Sequence, residues 1–498
     1  MSAGNTTADA GGARAALDCL DVAVIGLGAA GLYCLHRLSH ARDDLSIAGF
    51  EMEDEPGGRL HSLVADEGQA PLECGAAFVS SAHFNLLGLA LTLGCELAEV
   101  GFKQAGAYLR GRWSRAGEGL FALSPDEVGK SAAELVTGAL ARTAPELEHV
   151  LRQRPSPALA AGLRAVEVDG CALWQWPAGA LLERAMSHEA VALARATHGS
   201  TAMYGPVNAH DMLSTHVWES APGQRFYRLR HGFHNFARAL AAARGAASIH
   251  LRHRLLSIDH DGTRFKLAMM TPAGVRLIEA GAVILALPQQ ALVGLNLSAD
   301  MTGQTFAADL AAVAPIAAFK LFLAFERDWW SAAHRCGAGE ICAVFTDLAL
   351  QQCYFETFAA APHWVLAAFA DAGAAAYWRA LKEPGEPERA IGRAPPGMIA
   401  AAMRQLQCMY GALPAPLSGV YADWTGAWHA WRPHARSWEA RARLRQPNPD
   451  LPLFICGEAM AERQGWTEGA FNNAEAMLER AFGLDRPAWV GRDVPFEN

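Results

Sequence analysis

The sequence predicts an α/β fold. A Rossmann-like domain is assembled from discontinuous segments and joined to a mixed-sheet domain that carries a helical insertion. Three observations predict it. An apolar strand near the start runs into Gly26-x-Gly28-x-x-Gly31 and then into helical spacing. A long Ala- and Leu-rich stretch separates that start from a run of β-like segments. A last apolar strand and helix stand at the far end of the chain, so distant segments complete the first sheet.

The first strand is Asp21–Ile25, the helix Leu32–Leu38, and the second strand Leu45–Phe50, ending in Glu51. Gly26 makes a tight turn, Gly28 lets a pyrophosphate approach the backbone, and Gly31 packs helix on strand. The helix N-terminus attracts phosphate. Glu51 lies 20 residues beyond Gly31, where an acid binds ribose hydroxyls. These features together read as dinucleotide binding. Residues 118–225 have helical periodicity, as in Ser131–Arg142 and Ala180–Ala196. Strands are then expected at Ile249–Ile258, Phe265–Met270, Val275–Ile278 and Ala282–Leu287. The last of these is a continuous apolar run stopped by Pro288, as in a buried strand. Further strands are expected at Ala317–Phe325, Ile341–Thr346, Cys353–Glu356 and Val365–Ala370. The stretches 383–389 and Pro395-Pro-Gly397 read as loops. A strand at Leu453–Cys456 leads into Gly457-Glu458 and a helix Thr467–Phe482. The expected division is a loose tail over 1–17, a dinucleotide domain from 18–78, 228–305 and 440–485, and a substrate domain from 79–227 and 306–439.

Composition excludes several classes. Charged residues are 19%, hydrophobic ones 51% and the net charge is −9, which is a globular balance rather than a disordered one. A nucleic-acid binder would carry a basic stripe, and none is present. No apolar run reaches the roughly 18 residues of a membrane helix. The start has neither the basic flank nor the apolar core of a secretory signal. The ten cysteines include no CxxC pair and read as buried thiols of a reducing compartment, so a soluble cytoplasmic protein is the expectation. The 18 histidines show no metal-ligand spacing, so no metal is expected. No GxSxG elbow appears. Gly337-Ala-Gly339 lacks the third glycine and preceding strand of a second fingerprint, which disfavours an NADPH-dependent monooxygenase.

Eight residues past Glu51 stands Arg59, in Pro56-Gly57-Gly58-Arg59. The paired glycines open the backbone to something flat or charged, and the arginine supplies a fork for phosphate. A surface turn is the alternative. Lys320 sits inside the apolar strand Ile316-Ala-Ala-Phe-Lys-Leu-Phe-Leu, where a lysine is costly to bury. An edge-strand lysine that snorkels to solvent is the alternative.

These residues, taken in order, resemble the flavin-containing amine oxidase family of monoamine, polyamine and L-amino acid oxidases. The matching stretches are Val24–Gly31, Glu51 with Gly57-Gly58-Arg59, Glu73-Cys-Gly75-Ala76, Arg254–Ile258 and Val283–Pro288. Lys320 ten residues before Trp330, Cys456-Gly-Glu458 and Gly465–Ala470 complete the set. Residues 249–330 look most like the tryptophan oxidase type of violacein biosynthesis.

The resemblance implies non-covalent FAD. Gly26, Gly28, Ala30, Gly31, Glu51, Gly57, Gly58 and Arg59 would serve its ADP half, with Leu255 by the adenine. Gly457 and Glu458 would reach the ribityl chain, and Glu458 has ordinary packing as its alternative. Trp466, Thr467 and Ala470 would open a helix toward the flavin, with Gly469 permitting the close approach. Lys320 would hold a water against the flavin. Trp466 and Trp428, the latter counted back from Pro433, would form an aromatic cage, with a Trp-rich surface hairpin as the alternative for Trp428. Phe78, Tyr354, Phe369 and Trp431 would line the substrate site. No cysteine falls in Trp424–Trp438 to make a covalent flavin link.

The sequence departs from the family in three places. The Trp-rich stretch is short, Gly75–Ser80 contains no arginine to grip a carboxylate, and Glu53 stands where relatives carry a basic residue. Arg225, Arg228 and Arg230 are the nearest substitutes for the carboxylate grip, with Arg228 and Arg230 read as serving the flavin side. The implied activity is FAD-dependent oxidation of an amine or L-amino acid C–N bond to an imine, with O2 reduced to H2O2. Alternatives are an aromatic L-amino acid oxidase, a flavin oxidase or desaturase of specialised metabolism, and a flavin-binding protein without turnover. A homodimer is compatible with the sequence.

Overall fold

The structure, a computed structural model, describes residues 19–64, 71–115, 119–143, 157–219, 223–334, 340–356, 361–387 and 390–491. The expected tail over 1–17 and the Gly337-Ala-Gly339 stretch lie outside the described residues.

Strand β1 (Cys19–Ile25), helix α1 (Ala29–Ala41) and strand β2 (Ile47–Phe50) make the βαβ start. Strand β3 (Val79–Ser80), helix α2 (Phe84–Thr92) and strand β4 (Leu97–Leu109) follow. The insertion contains α3 (Ala132–Thr143), α4 (Pro157–Arg164), α5 (Ala178–Ala185), α6 (His188–His198) and α7 (Ala209–Glu219). The chain returns through β5 (Phe226–Leu229) and α8 (Gly232–Ala242) to β6 (Ser248–His250), β7 (Arg254–His260), β8 (Phe265–Thr271) and β9 (Gly274–Leu285). Then come β10 (Val313–Phe325), β11 (Glu340–Thr346), β12 (Gln352–Glu356), β13 (His363–Asp371) and β14 (Ala390–Arg393). Helix α9 (Pro396–Tyr410), β15 (Ser418–Trp431), β16 (Leu453–Ile455) and α10 (Thr467–Phe482) close the order.

The first sheet has the order β6-β2-β1-β9-β8-β7, with β16 also beside β9. Strands β6, β2, β1, β9 and β16 run parallel, with Ile25 opposite Phe50 on one side and Leu285 on the other. Parallel strands buried on both faces read as apolar runs, which is why β1 and the end of β9 stand out in the sequence. Apolar clusters cover both faces. A buried network ties the first helix to the last: Glu475 on α10 accepts from Tyr33 Oη at 2.7 Å and from Arg37 at 2.8 and 2.9 Å.

The second sheet has the order β14-β15-β10-β13-β12-β11-β4-β5-β3. Strand β10 lies between β15 and β13, so Lys320 stands on an interior strand and not on an edge. The insertion helices bury their apolar faces in a separate cluster that meets Trp428 and Ala430 of β15.

The structure corrects three sequence expectations and removes one alternative. The expected strands Val275–Ile278 and Ala282–Leu287 are one strand, β9, which ends at Leu285; Glu279 and Gly281 interrupt the apolar pattern without breaking the pairing. Pro395-Pro-Gly397 is not simply a loop: its prolines open α9, where a missing N–H costs nothing. The Trp-rich stretch is the inner half of β15, with Trp428 opposite Ile316 and Trp431 opposite Val313, rather than a surface hairpin. Cys342 is disulfide-bonded, so the cysteines are not all free thiols.

Gly31 is the tightest point of the nucleotide turn: a Cβ there would lie 1.9 Å from the Gly26 carbonyl oxygen. Gly397, on α9, meets nothing within 4 Å. In urea denaturation, Gly31→Ala is expected to cost about 2–4 kcal/mol by forcing backbone apart. Gly397→Ala is expected to stabilise by about 0.5–1 kcal/mol, because alanine loses less chain entropy in a helix.

Candidate active site

The glycine loops are shaped as a cradle. Gly26 has φ +87°, Gly57 +123° and Gly58 +56°, all in the region that favours glycine. Gly28 and Gly57 form an isolated parallel bridge, and Gly57 N–H donates to Leu27 O at 2.8 Å. A Cβ on Gly58 would lie 3.4 Å from Gly28 Cα, so the two loops approach backbone to backbone. Helix α1 begins just behind Gly28, with Ala30 and Gly31 in its first turn and no side-chain cap. Its free N–H groups and positive dipole end therefore face the cradle. Glu51 accepts Leu27 N–H at 2.8 Å and Glu53 N–H at 3.1 Å, one on each oxygen. Each oxygen keeps a lone pair for a ribose hydroxyl. The His253 N–H donates to Glu51 O at 2.7 Å, bringing the chain toward Leu255 past the same strand end. An uncapped helix start, side-chain-free loops and an acid at the strand end suit a dinucleotide.

Arg59 and Glu458 complete this side. Arg59 Nη1 donates to Glu458 Oε2 at 2.7 Å and to Ala427 O at 2.9 Å. Glu458 Oε2 also accepts from His429 Nδ1 at 2.7 Å, while Oε1 accepts the His429 and Gly465 N–H groups at 2.9 and 2.7 Å. Burial alone would raise the Glu458 carboxyl, but His429 and Arg59 hold it well below the usual carboxylate range. The expectation was that Glu458 reaches a ribityl chain. Instead its acceptor sites are filled by protein donors, and it holds Arg59 in position. Gly457 has φ +139° and nothing within 4 Å of its Cβ position, leaving open space beside this network.

Lys320 is 5% exposed. Its Nζ donates to Glu73 O at 2.8 Å and Gly75 O at 2.7 Å, and sits 4.9 Å from the Phe369 ring centre. Burial pulls the ammonium down to about 8, while Cys74 and Glu73 push the other way. Burial likewise lifts the Glu73 carboxyl to about 8, against its bond from Ser62 and the Lys320 charge. Gly75 is glycine because a Cβ would lie 1.9 Å from Arg59 O, where the two loop segments cross. That crossing brings the lysine's carbonyl partners next to the cradle.

A cavity of about 380 Å³ opens between Lys320 and the insertion. Phe78, Tyr354, Phe369, Trp428, Trp466 and Thr467 all line it. Trp428 Cβ lies 3.8 Å from the Cβ position of Gly465, so the two tryptophans come from adjoining backbones. Trp466 packs edgewise on the buried His83, whose ring burial pulls down to about 3, and its Nε1 donates to Glu219 at 3.1 Å. Trp431 also borders the cavity but is 1% exposed and packed into the first sheet's core, so it is a wall element rather than a substrate contact.

Two further expectations change. Gly469 is required by the protein itself, since a Cβ would lie 2.0 Å from Arg463 O. Ala470 is buried in the core of α10. The arginines divide: Arg230 pairs with Glu96 and Arg225 with Glu99 on the surface, whereas Arg228 lines the cavity, with Nη1 on both Glu356 oxygens at 2.8 and 2.9 Å. Sequence reasoning gave no role to Glu219, His429 and Glu356, and read Glu73 only as part of the Glu73-Cys-Gly75-Ala76 stretch. The first three sit in no recognisable spacing; only the fold brings them to the site.

Among the described residues no group of three His, Cys, Asp or Glu side chains could hold a metal, and no helix is long and apolar enough to cross a membrane. The dinucleotide cradle, the buried lysine and the aromatic cavity define a flavin-dependent oxidoreductase. The chain belongs to the flavin containing amine oxidoreductase family, matched over residues 29–476. Its cofactor is FAD, and its substrate class is amines in the broad sense that includes amino acids. Aplysianin-A from Aplysia kurodai is 23% identical over 515 residues, covering 93% of this chain and 90% of the relative. A double mutant of putrescine oxidase redesigned for cofactor binding superposes with a TM-score of 0.67 at 17% identity, over 94% of this chain and 99% of its own. A triple mutant of the same enzyme gives 0.67 at 18%, over 93% and 99%.

Glu458→Ala is expected to weaken FAD binding about 10- to 100-fold, read by flavin fluorescence titration of the apoprotein, with Glu458→Gln intermediate. Lys320 titrates near 8 in the fold and near 10.5 unfolded, so the unfolded chain binds more protons between those values. Stability from this group is therefore lowest below pH 8 and rises toward pH 10.5, by up to about 3 kcal/mol. Urea denaturation over that range should show the rise in the native protein and its loss in Lys320→Met.

Proposed function

We propose that the protein is an FAD-dependent amine oxidase that oxidises the carbon–nitrogen bond of a small amine to an imine. Bound FAD supplies the acceptor for a hydride equivalent and passes two electrons to O2, giving H2O2. The observation that carries this reading is Lys320, buried on an interior strand and fastened to the carbonyls of Glu73 and Gly75 beside the aromatic cavity. Two of its N–H donors are spent on those carbonyls, so the remaining position can hold a water or O2-derived group. Trp428 and Trp466 orient the substrate, and the apolar wall of Phe78, Phe322, Leu366 and Phe369 excludes bulk water. A low-polarity wall also favours the neutral amine, the form that can release electron density into the breaking C–H bond.

L-Amino acid oxidation is the second reading, favoured by Arg228 in the cavity wall. Glu356 already neutralises that guanidinium, which weighs against a carboxylate in the same place.

Anaerobic mixing of the yellow holoprotein with a panel of amines and L-amino acids tests both readings. Amines are expected to bleach the flavin absorbance, and air to restore it with one H2O2 formed per imine. Bleaching by amino acids alone would establish the second reading. Bound FAD that nothing in the panel bleaches would overturn both.

A further inference from the structure

The register of the second sheet gives Lys320 two cross-strand neighbours of different kinds. It stands directly opposite Phe369 on β13 and opposite Ala422 on β15. Residues paired across an antiparallel ladder project from the same face. A phenyl ring therefore stands beside the lysine on one side, and only a methyl group on the other. The Phe369 ring centre lies 4.9 Å from Lys320 Nζ, within the range at which a ring face attracts a cation. Phe369 is half-buried and borders the cavity together with Lys320.

Among the described residues the ammonium bonds to the carbonyls of Glu73 and Gly75 and pairs with no carboxylate. Carbonyl dipoles offset its desolvation only in part. The titratable side chains whose charges act on it are Glu73 and Cys74, both on the segment whose carbonyls hold it. The Glu73 carboxyl is turned to Ser62 at 2.5 Å and to the Phe233 N–H at 3.2 Å. On β12, Glu356 is held by Arg228, and the Tyr354 hydroxyl donates to Gln352. Burial pushes the Tyr354 hydroxyl up, so it adds no charge. Strands β13 and β15 offer no charged side chain at the positions paired with Lys320. The Phe369 ring adds an attraction for the ammonium that neither titrates nor uses up an N–H.

Building on the oxidase reading above, we propose that Phe369 is a positioning residue for the O2 step, its ring face keeping the Lys320 ammonium charged where O2 is reduced. In that step O2 takes two electrons and one proton from the reduced cofactor and a second proton from solvent, and leaves as H2O2. Negative charge grows on the oxygen as the electrons arrive, and a fixed cation beside it lowers the barrier. A neutral amine in the same place lacks that effect. Phe369 thus acts through Lys320 and not on the oxygen itself.

The test mixes holoprotein, its flavin reduced by light and EDTA, with O2 across the pH range that spans the Lys320 transition. No amine takes part. Reoxidation is expected to slow as the pH rises through that transition, and to be slow and flat in Lys320→Met. The ring favours the charged form, so without it the proton leaves at lower pH. Phe369→Leu is therefore expected to move the midpoint down by about one pH unit. Phe369→Tyr keeps a ring and is expected to keep the midpoint. Phe369→Met, unbranched and able to fill irregular gaps, serves where the leucine variant does not fold. An unchanged midpoint without the ring would overturn the proposal and leave Phe369 as cavity wall. A flat profile in the unaltered protein would overturn it too, and that outcome needs no variant to fold. So would a slowing that survives in Lys320→Met, because Glu73 would then be the titrating group. Reduced flavin that fails to react with O2 at any pH would instead remove the oxidase reading, and this inference with it.

Discussion

The carboxylate of Glu458 is the interaction on which the site depends. It accepts from Arg59 near the N-terminus, from both the ring and the backbone of His429 on β15, and from Gly465 just before α10. Three segments far apart in sequence therefore meet at one buried charge. Arg59 positions the cradle, His429 sits beside Trp428, and Gly465 sits beside Trp466. A buried carboxylate with a single partner would be a liability. With its acceptor sites filled it becomes a rigid joint between the dinucleotide sheet and the substrate cavity.

Lys320 presents the same problem with the opposite sign and a different solution. Its ammonium is held by two carbonyl oxygens rather than by a carboxylate. Carbonyls offer dipoles, not a full charge, so desolvation is only partly offset and the group titrates near 8. The carbonyls are in place because Gly75 crosses Arg59 with no room for a side chain. The crossing that fixes the lysine also fixes the arginine, so cofactor cradle and reaction centre share one backbone constraint.

The local signals were legible where a motif has a fixed backbone meaning. Gly26, Gly28 and Gly31 with Glu51 announced the βαβ turn, because Gly31 answers a contact with Gly26 five residues back, although Gly26 and Gly28 meet Ala286 and Gly57 across the fold. Helix Thr467–Phe482 was readable to its ends. The insertion was readable as helical from its periodicity. Strand β9 was read as two, since Glu279 and Gly281 hide an unbroken ladder in a non-apolar pattern. Trp431 was read as a substrate contact, but alternation along β15 turns it into the first sheet's core. Gly469 was assigned to the cofactor when its nearest neighbour is Arg463 O.

By itself the sequence determined the nucleotide-binding start, the family resemblance, and Lys320 as an anomalous charge in an apolar strand. These are properties of short windows, where chain connectivity sets the geometry. Only the tertiary structure decided which charges meet. Arg228 could have faced flavin or substrate, and the curl of a sheet that sets β11 and β4 between β5 and β12 put it on Glu356 in the cavity. Glu219 is one acid among many on a helical insertion, and it gains meaning only where α7 ends against Trp466. Electrostatic partners are chosen by proximity in space, which is set by how the sheets and the insertion pack, and no spacing along the chain encodes it.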